Sequence, residues 1–180
     1  PEPDGIVHQE RMPEMPPPEE CNDARQLAEV ALKDESLPPA SRAMLAFKLH
    51  EIPPAFERVF QFRPVDAAKY TMRADADKKP HAAMWLKANE NIGDDPRLHQ
   101  CVAAYISDCT LLETAMRPAC AAGFMPSMAL SLDHTMWMHD PNFRVDEWML
   151  YENFSTISRG GRSFIEGRLW TRDGRLILSC

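Results

Sequence analysis

No apolar run in this chain approaches the roughly 20 residues that a membrane-spanning helix requires. No C-x-x-C pair occurs among its five cysteines, Cys21, Cys101, Cys109, Cys120 and Cys180. The first absence argues against a membrane span; the second, with the odd count, argues against a disulfide framework and a zinc site. Neither a metal nor a cofactor is expected. The start, Pro1-Glu2-Pro3-Asp4, has neither the basic nor the apolar part of a signal peptide, so a reduced intracellular setting is expected. The glycines form no G-x-G-x-x-G fingerprint, and the absence of a G-x-S-x-G elbow disfavours a Ser-His-Asp hydrolase of the α/β type.

What is present begins with charge. The net −7 lies wholly in residues 1–35, where ten acids face Arg11, Arg25 and Lys33; residues 36–180 hold seventeen of each sign. A neutral body argues against nucleic acid as a partner, because such proteins carry a basic face. Arginines 159, 162, 168, 172 and 175 meet only Glu166 and Asp173 within their span. They read either as a phosphate-binding cluster or, more commonly, as a solvated sheet face.

Along the chain, residues 1–21 are an acidic, proline-rich linker or extended arm, with Pro16-Pro17-Pro18 at its centre. It reads as the connection from something that precedes it. Residues 22–180 read as one domain with an N-terminal helical extension. One helix starts after the cap Asn22-Asp23 and another near Ser41. Residues 56–62 and 82–88 alternate as strands, with a charged loop at 71–80 between them. The strongest helix is 96–117, capped by Asp94-Asp95-Pro96, with Leu98, Val102, Tyr105, Ile106, Cys109, Leu112 and Met116 as its apolar stripe and Pro118 closing it. Cys101 and Cys109 are packing groups on this reading. Strand patterns follow at 128–138, 147–157, 162–171 and 176–180, punctuated by Gly160-Gly161 and Asp173-Gly174 turns. The order predicts an α+β hotdog: an antiparallel sheet wrapped around one long central helix. A ferredoxin-like fold is disfavoured because no late second helix is visible.

Chemistry concentrates in Ser131-Leu132-Asp133-His134-Thr135-Met136-Trp137-Met138-His139 and in Ser155-Thr156 one strand later. A carboxylate on an apolar wall can serve as a base near neutral pH. By themselves, Asp133-His134 suit a strand-end cap, Ser155 and Thr156 ordinary strand hydroxyls, and Met136, Trp137, Met138, Trp148 and Met149 a core. A helix start at 94–98 offers backbone N–H groups that would polarise a carbonyl.

The segments S-L-D-H-T-M-W-M-H (131–139), D-E-W-M-L-Y-E (146–152), S-T (155–156), G-R-L-W-T-R-D-G (167–174) and C-V-A-A-Y-I-S-D (101–108) together resemble the acyl-CoA thioesterase II family, including its peroxisomal members. M-P-P-P-E-E (15–20) resembles that family's interdomain linker. The resemblance covers the C-terminal half of a double hotdog. It implies hydrolysis of fatty acyl-CoA thioesters to free acid and CoA by activated water, without a covalent acyl-enzyme. It makes Asp133 the catalytic base and Thr156 the water-holding hydroxyl; His134 and Ser155 are candidates for support, and Trp137, Arg159 and Arg162 are candidate substrate contacts. A third member, a glutamine in a Gln-Glu-Gly segment, is expected just after Cys180, where the last strand is cut short. The alternative is a catalytically incomplete module that binds acyl-CoA or pairs. An enoyl-thioester hydratase ranks lower, because Asp133 and His134 are adjacent and not spaced by a helical turn. A homodimer, or pairing with a second hotdog domain, is expected. Peroxisomal residence follows from resemblance alone; otherwise the reading is cytoplasmic.

Overall fold

The computed structural model describes residue 5 and residues 7–50, 58–73 and 80–180. Six strands form one antiparallel sheet: β1 Phe60–Pro64, β2 His81–Ala88, β3 Trp137–Met138, β4 Met149–Arg159, β5 Arg162–Thr171 and β6 Leu176–Ser179, in the order β1-β2-β4-β5-β6-β3. Phe56 and Glu57, expected to open the first strand, and residues 74–79 of the expected loop lie outside the described residues. The long β4–β5 hairpin closes on Gly160-Gly161, whose φ values of 60° and 73° are those a right-twisted two-residue turn demands.

Alternation sorts the side chains into two faces. Leu86, Met149, Tyr151, Leu169 and Ile177 meet Ala103, Ile106 and Leu111 on the inner face. Trp85, Leu150 and Trp170 form the outer face with Cys21, and Met12 and Met15 pack over them. The arm is therefore draped across the sheet: Trp85 Nε1 donates to the Pro16 carbonyl at 2.8 Å and Arg63 to the Pro18 carbonyl at 2.7 Å. Its acids also meet the arginine run. Arg172 grips Glu19 through two bonds of 2.8 and 2.9 Å, and Arg168 pairs with Glu10. Of the two readings of that run, an anion site loses two of its cations to the arm.

The inner layer is helical: α1 Ala24–Leu32, capped by Asp23, α2 Pro39–His50, the short α3 Ala67–Tyr70, α4 Pro96–Ser107 and α5 Leu111–Ala121. No helix of the described residues is long and apolar enough to cross a membrane. The hotdog arrangement is present, with one correction to its helix. The expected single helix over 96–117 is two, broken at Asp108-Cys109-Thr110. Residues there compete with the helix through their own side chains, and strand side chains take up the break: the Tyr151 hydroxyl donates to the Ser107 carbonyl and Asn153 Nδ2 to Thr110 Oγ1 at 2.6 Å. The buried set shifts accordingly to Leu111, Thr114 and Ala115. Pro118 does not close the helix but sits inside α5, forgoing one backbone bond while its neighbours Ala115 and Cys120 stay buried. Cys101 and Cys109 are surface residues and not packing groups. Although Cys109 is exposed as a residue, desolvation around its sulfur pushes the thiol up to about 12.

Gly167 marks the tightest approach in the sheet. A Cβ there would lie 2.6 Å from both Cys180 Sγ and the Tyr151 hydroxyl. Gly167→Ala is expected to cost about 1–3 kcal/mol of stability, read as a fall in the urea midpoint; an unchanged midpoint would show that this contact has slack.

Candidate functional site

After α5 the chain runs from Ala122 to Met136 without regular structure and almost wholly exposed. Only Trp137–Met138 of the expected strand 128–138 forms, at the sheet edge beside β6. Residues 128–136 alternate as a strand would, but among the described residues no neighbouring strand pairs with them. Met136, Trp137 and Met138, expected in a core, are exposed, Trp137 at 58%, whereas Met149 is buried as expected.

Asp133 sits in this segment, exposed, with no hydrogen bond among the described residues. Its neighbours are anchored. His134 Nε2 lies 2.8 Å from Ser107 Oγ, Met136 Sδ 3.2 Å from the same oxygen, and Ser131 Oγ 3.1 Å from Asp108 Oδ1. All three ties run to the C-terminal end of α4. Burial and the nearby Cys180 raise Tyr151 well above the usual tyrosine range, so its hydroxyl stays a donor and holds the Ser107 carbonyl from the other side.

The helix start offered at residues 94–98 stands apart from this loop. The N-terminus of α4 is capped by Asp95 and lies at the far end of a twelve-residue helix, about 18 Å from the Asp133 anchor at 1.5 Å per residue. The helix start that follows the Ser107-Asp108 anchor in the chain is that of α5, whose cap residue Thr110 makes no side-chain hydrogen bond to it.

Thr156 is the extra residue of a bulge in β4: Ser155 pairs with Ile165 and Ile157 with Phe164. The bulge turns the Thr156 hydroxyl outward, where it donates to Glu166 Oε2 at 3.1 Å. No hydrogen bond joins Thr156 to Asp133 among the described residues. Ser155 is buried and its hydroxyl donates to the Phe164 carbonyl at 3.3 Å. Arg159 and Arg162 face each other across the exposed tip of the β4–β5 hairpin, away from any of these groups by register. The structure thus brings His134 and Met136 to Ser107, and Ser131 to Asp108. Among the described residues no side-chain hydrogen bond or ion pair joins Asp133, Thr156, Trp137, Arg159 and Arg162 to one another.

Two features escaped the sequence reading. One is the Ser107-Asp108 anchor, whose signal was a polar pair interrupting an apolar helical stripe. The other is a cavity of about 480 Å³ between α1, α2, β1 and the start of α5, lined by Leu49, Phe60, Phe62 and Met84, with Cys109 and Thr110 on one wall. Lys48 and Glu113 also line it. Among the described residues no group of histidines, cysteines and carboxylates has the makings of a metal site.

A sheet folded round a broken central helix, with an exposed carboxylate loop anchored to that break, defines a hotdog domain. A hotdog-fold protein of unknown function from Alicyclobacillus acidocaldarius superposes with a TM-score of 0.62 at 14% identity, over 98% of this chain and 55% of that one. An acyl-CoA thioesterase II from Mycobacterium marinum does so with a TM-score of 0.61 at 24% identity, over 98% and 56%. Residues 18–180 match the acyl-CoA thioesterase C-terminal domain, and the chain belongs to that family. Human acyl-coenzyme A thioesterase 8 is 39% identical over 180 residues, 99% of this chain and 54% of that protein. The chain spans about half the length of the curated relatives it matches.

Proposed function

We propose that this chain is the C-terminal hotdog of an acyl-CoA thioesterase and carries the base of its reaction. The observation that carries the reading is Asp133, held in water by anchors on both sides and set in an exposed apolar surface. A water oxygen bonds to the thioester carbon while Asp133 takes one of its protons. The carbon–sulfur bond then breaks, and the proton passes to the departing CoA thiolate, leaving free acid. No acyl group is bonded to the protein. Thr156 and a glutamine past Cys180 hold the water, and His134 and Ser155 support them; Trp137, Arg159 and Arg162 contact substrate. The acyl chain takes the 480 Å³ cavity, whose Thr110 wall adjoins the Asp108 anchor. Residues 1–21 serve as the interdomain connection, and residence in the peroxisome follows the family resemblance. Thiol release from long-chain acyl-CoA by the intact protein, compared with Asp133→Asn, tests the reading.

Packing among the described residues does not supply the apolar wall expected around Asp133. Phe124, Met128, Leu130, Leu132, Trp137 and Phe164 are all exposed, Leu132 at 75%, and β3 is an open edge of the sheet. Such a surface together with an unpaired edge calls for a partner sheet, and a second hotdog would complete the wall. In solution this 20.5 kDa chain is expected to scatter light as a dimer, and Trp137→Lys to shift it toward monomer; a strictly monomeric wild-type chain would remove this part of the reading.

A second reading rests on Thr156, whose hydroxyl is committed to Glu166. On it the chain binds acyl-CoA or pairs but hydrolyses nothing, and thiol release would be absent with Asp133 intact.

A further inference from the structure

Resting on that functional reading, we infer that Ser107 is a positioning residue: it fixes His134 with its proton on Nε2 and its Nδ1 lone pair left to the water beside Asp133.

One hydroxyl proton on Ser107 faces three candidate acceptors. Ser107 Oγ lies 2.7 Å from the Ala104 carbonyl, 2.8 Å from His134 Nε2 and 3.2 Å from Met136 Sδ. A serine hydroxyl has one proton to give and two lone pairs with which to accept. The carbonyl accepts only, and a hydroxyl near a helix end turns back to the carbonyl three residues earlier as a matter of course. Sulfur is a weak acceptor. With the proton on the Ala104 side, the short contact to His134 is a hydrogen bond only if Nε2 carries the hydrogen. Neutral imidazole then has its acceptor at Nδ1. Because His134 is exposed while Ser107 is fully buried, Nε2 is turned into the protein and the other nitrogen remains on the solvent side.

Ser107 is itself anchored. Its carbonyl is held by Tyr151, its residue is the last of α4, and the next residue, Asp108, holds Ser131. The serine therefore acts as a fixed post for the residue next to Asp133. An outer partner that sets the tautomer of a histidine is a recurrent way of aiming its other nitrogen. Here the aimed nitrogen would accept a hydrogen bond from the attacking water, so that Asp133 receives the second proton along a fixed line.

The first measurement needs no substitution. In ¹⁵N-labelled protein above neutral pH, His134 is expected to show a protonated Nε2 whose hydrogen exchanges slowly enough to be seen, and an unprotonated Nδ1. A proton on Nδ1 would overturn the inference. In Ser107→Ala the Nε2–H signal is expected to vanish, and its persistence would equally count against it. The second measurement is kinetic, on the intact protein. Ser107→Ala is expected to lower kcat about tenfold with KM unchanged, as loss of alignment does. In a His134→Ala background the same change is expected to do nothing more, since serine acts through histidine. Multiplying losses would overturn the proposal. Absence of thioester cleavage by the wild-type protein would strike the functional reading alone, because the tautomer is read without turnover.

Discussion

Asp133→Asn is expected to lower kcat for a long-chain acyl-CoA by about 10²–10⁴-fold, the range that a positioned base contributes. Asparagine keeps the shape and the hydrogen-bonding reach of the side chain but has no basic oxygen. The effect should fall on kcat and leave KM nearly unchanged, because the proton is taken only in the transition state. Stability should hardly move: Asp133 is exposed and enters no hydrogen bond among the described residues, so its replacement strands no partner. That separation makes the result readable. Initial rates of thiol appearance, taken with a thermal melt of the same sample, measure both quantities. Full activity in a folded Asp133→Asn protein would sink the assigned role. A large loss of melting temperature would be equally informative, since it would show a contact to Asp133 from a partner surface that this chain does not itself supply.

The fold around Asp133 was legible from sequence only in part, because each kind of information is encoded differently. The β4–β5 hairpin was legible because its alternation and the Gly160-Gly161 turn are local. So were the starts of α1 and α4, each marked by an aspartate that accepts hydrogen bonds from the first backbone N–H groups. The break between α4 and α5 was not local: it is sustained by Tyr151 and Asn153, more than forty residues away. Periodicity carried the reading straight through it. Met136, Trp137 and Met138 were misplaced for a related reason. An apolar pattern states that a surface is to be covered, without stating whether the same chain covers it. The arm shows the opposite case. Its prolines excluded a regular element, yet they left carbonyls free to accept from Trp85 and Arg63, and its acids answer arginines 150 residues further on. Net charge located the excess without revealing that Glu10 and Glu19 of the arm pair with Arg168 and Arg172 of the sheet.

Glu113 gives the largest expected effect on stability. It is buried between two cations, 2.7 Å from Lys48 Nζ and 2.9 Å from Arg117 Nη2, and it ties α5 to α2 beside the cavity. Burial alone would raise its pKa, but Lys48 and Arg117 outweigh that and hold it at about 2. The cost falls on Lys48, whose ammonium lies over the Tyr70 ring at 3.9 Å and, though close to Glu113, finds no well-aligned hydrogen-bond acceptor among the described residues. Burial lowers its pKa, with Glu113 opposing. Two cations sharing one carboxylate make Glu113 the group that cannot be spared. Glu113→Gln should therefore cost about 3–5 kcal/mol, because it leaves both charges buried without a counter-ion. Adding Lys48→Met should recover part of that loss, since one of the stranded charges goes with it and its stem is replaced by an apolar chain. The urea midpoints of the three variants decide the matter; a double variant no more stable than Glu113→Gln would show that Lys48 is not the partner under strain. The acid dependence has a fixed sign. A carboxylate lowered on folding from 4.5 to about 2 contributes roughly 3 kcal/mol at neutral pH. That contribution is complete above pH 4.5 and is lost as pH falls toward 2. Glu113→Gln should accordingly flatten the wild-type fall in stability across that window, because the group that titrates there is gone.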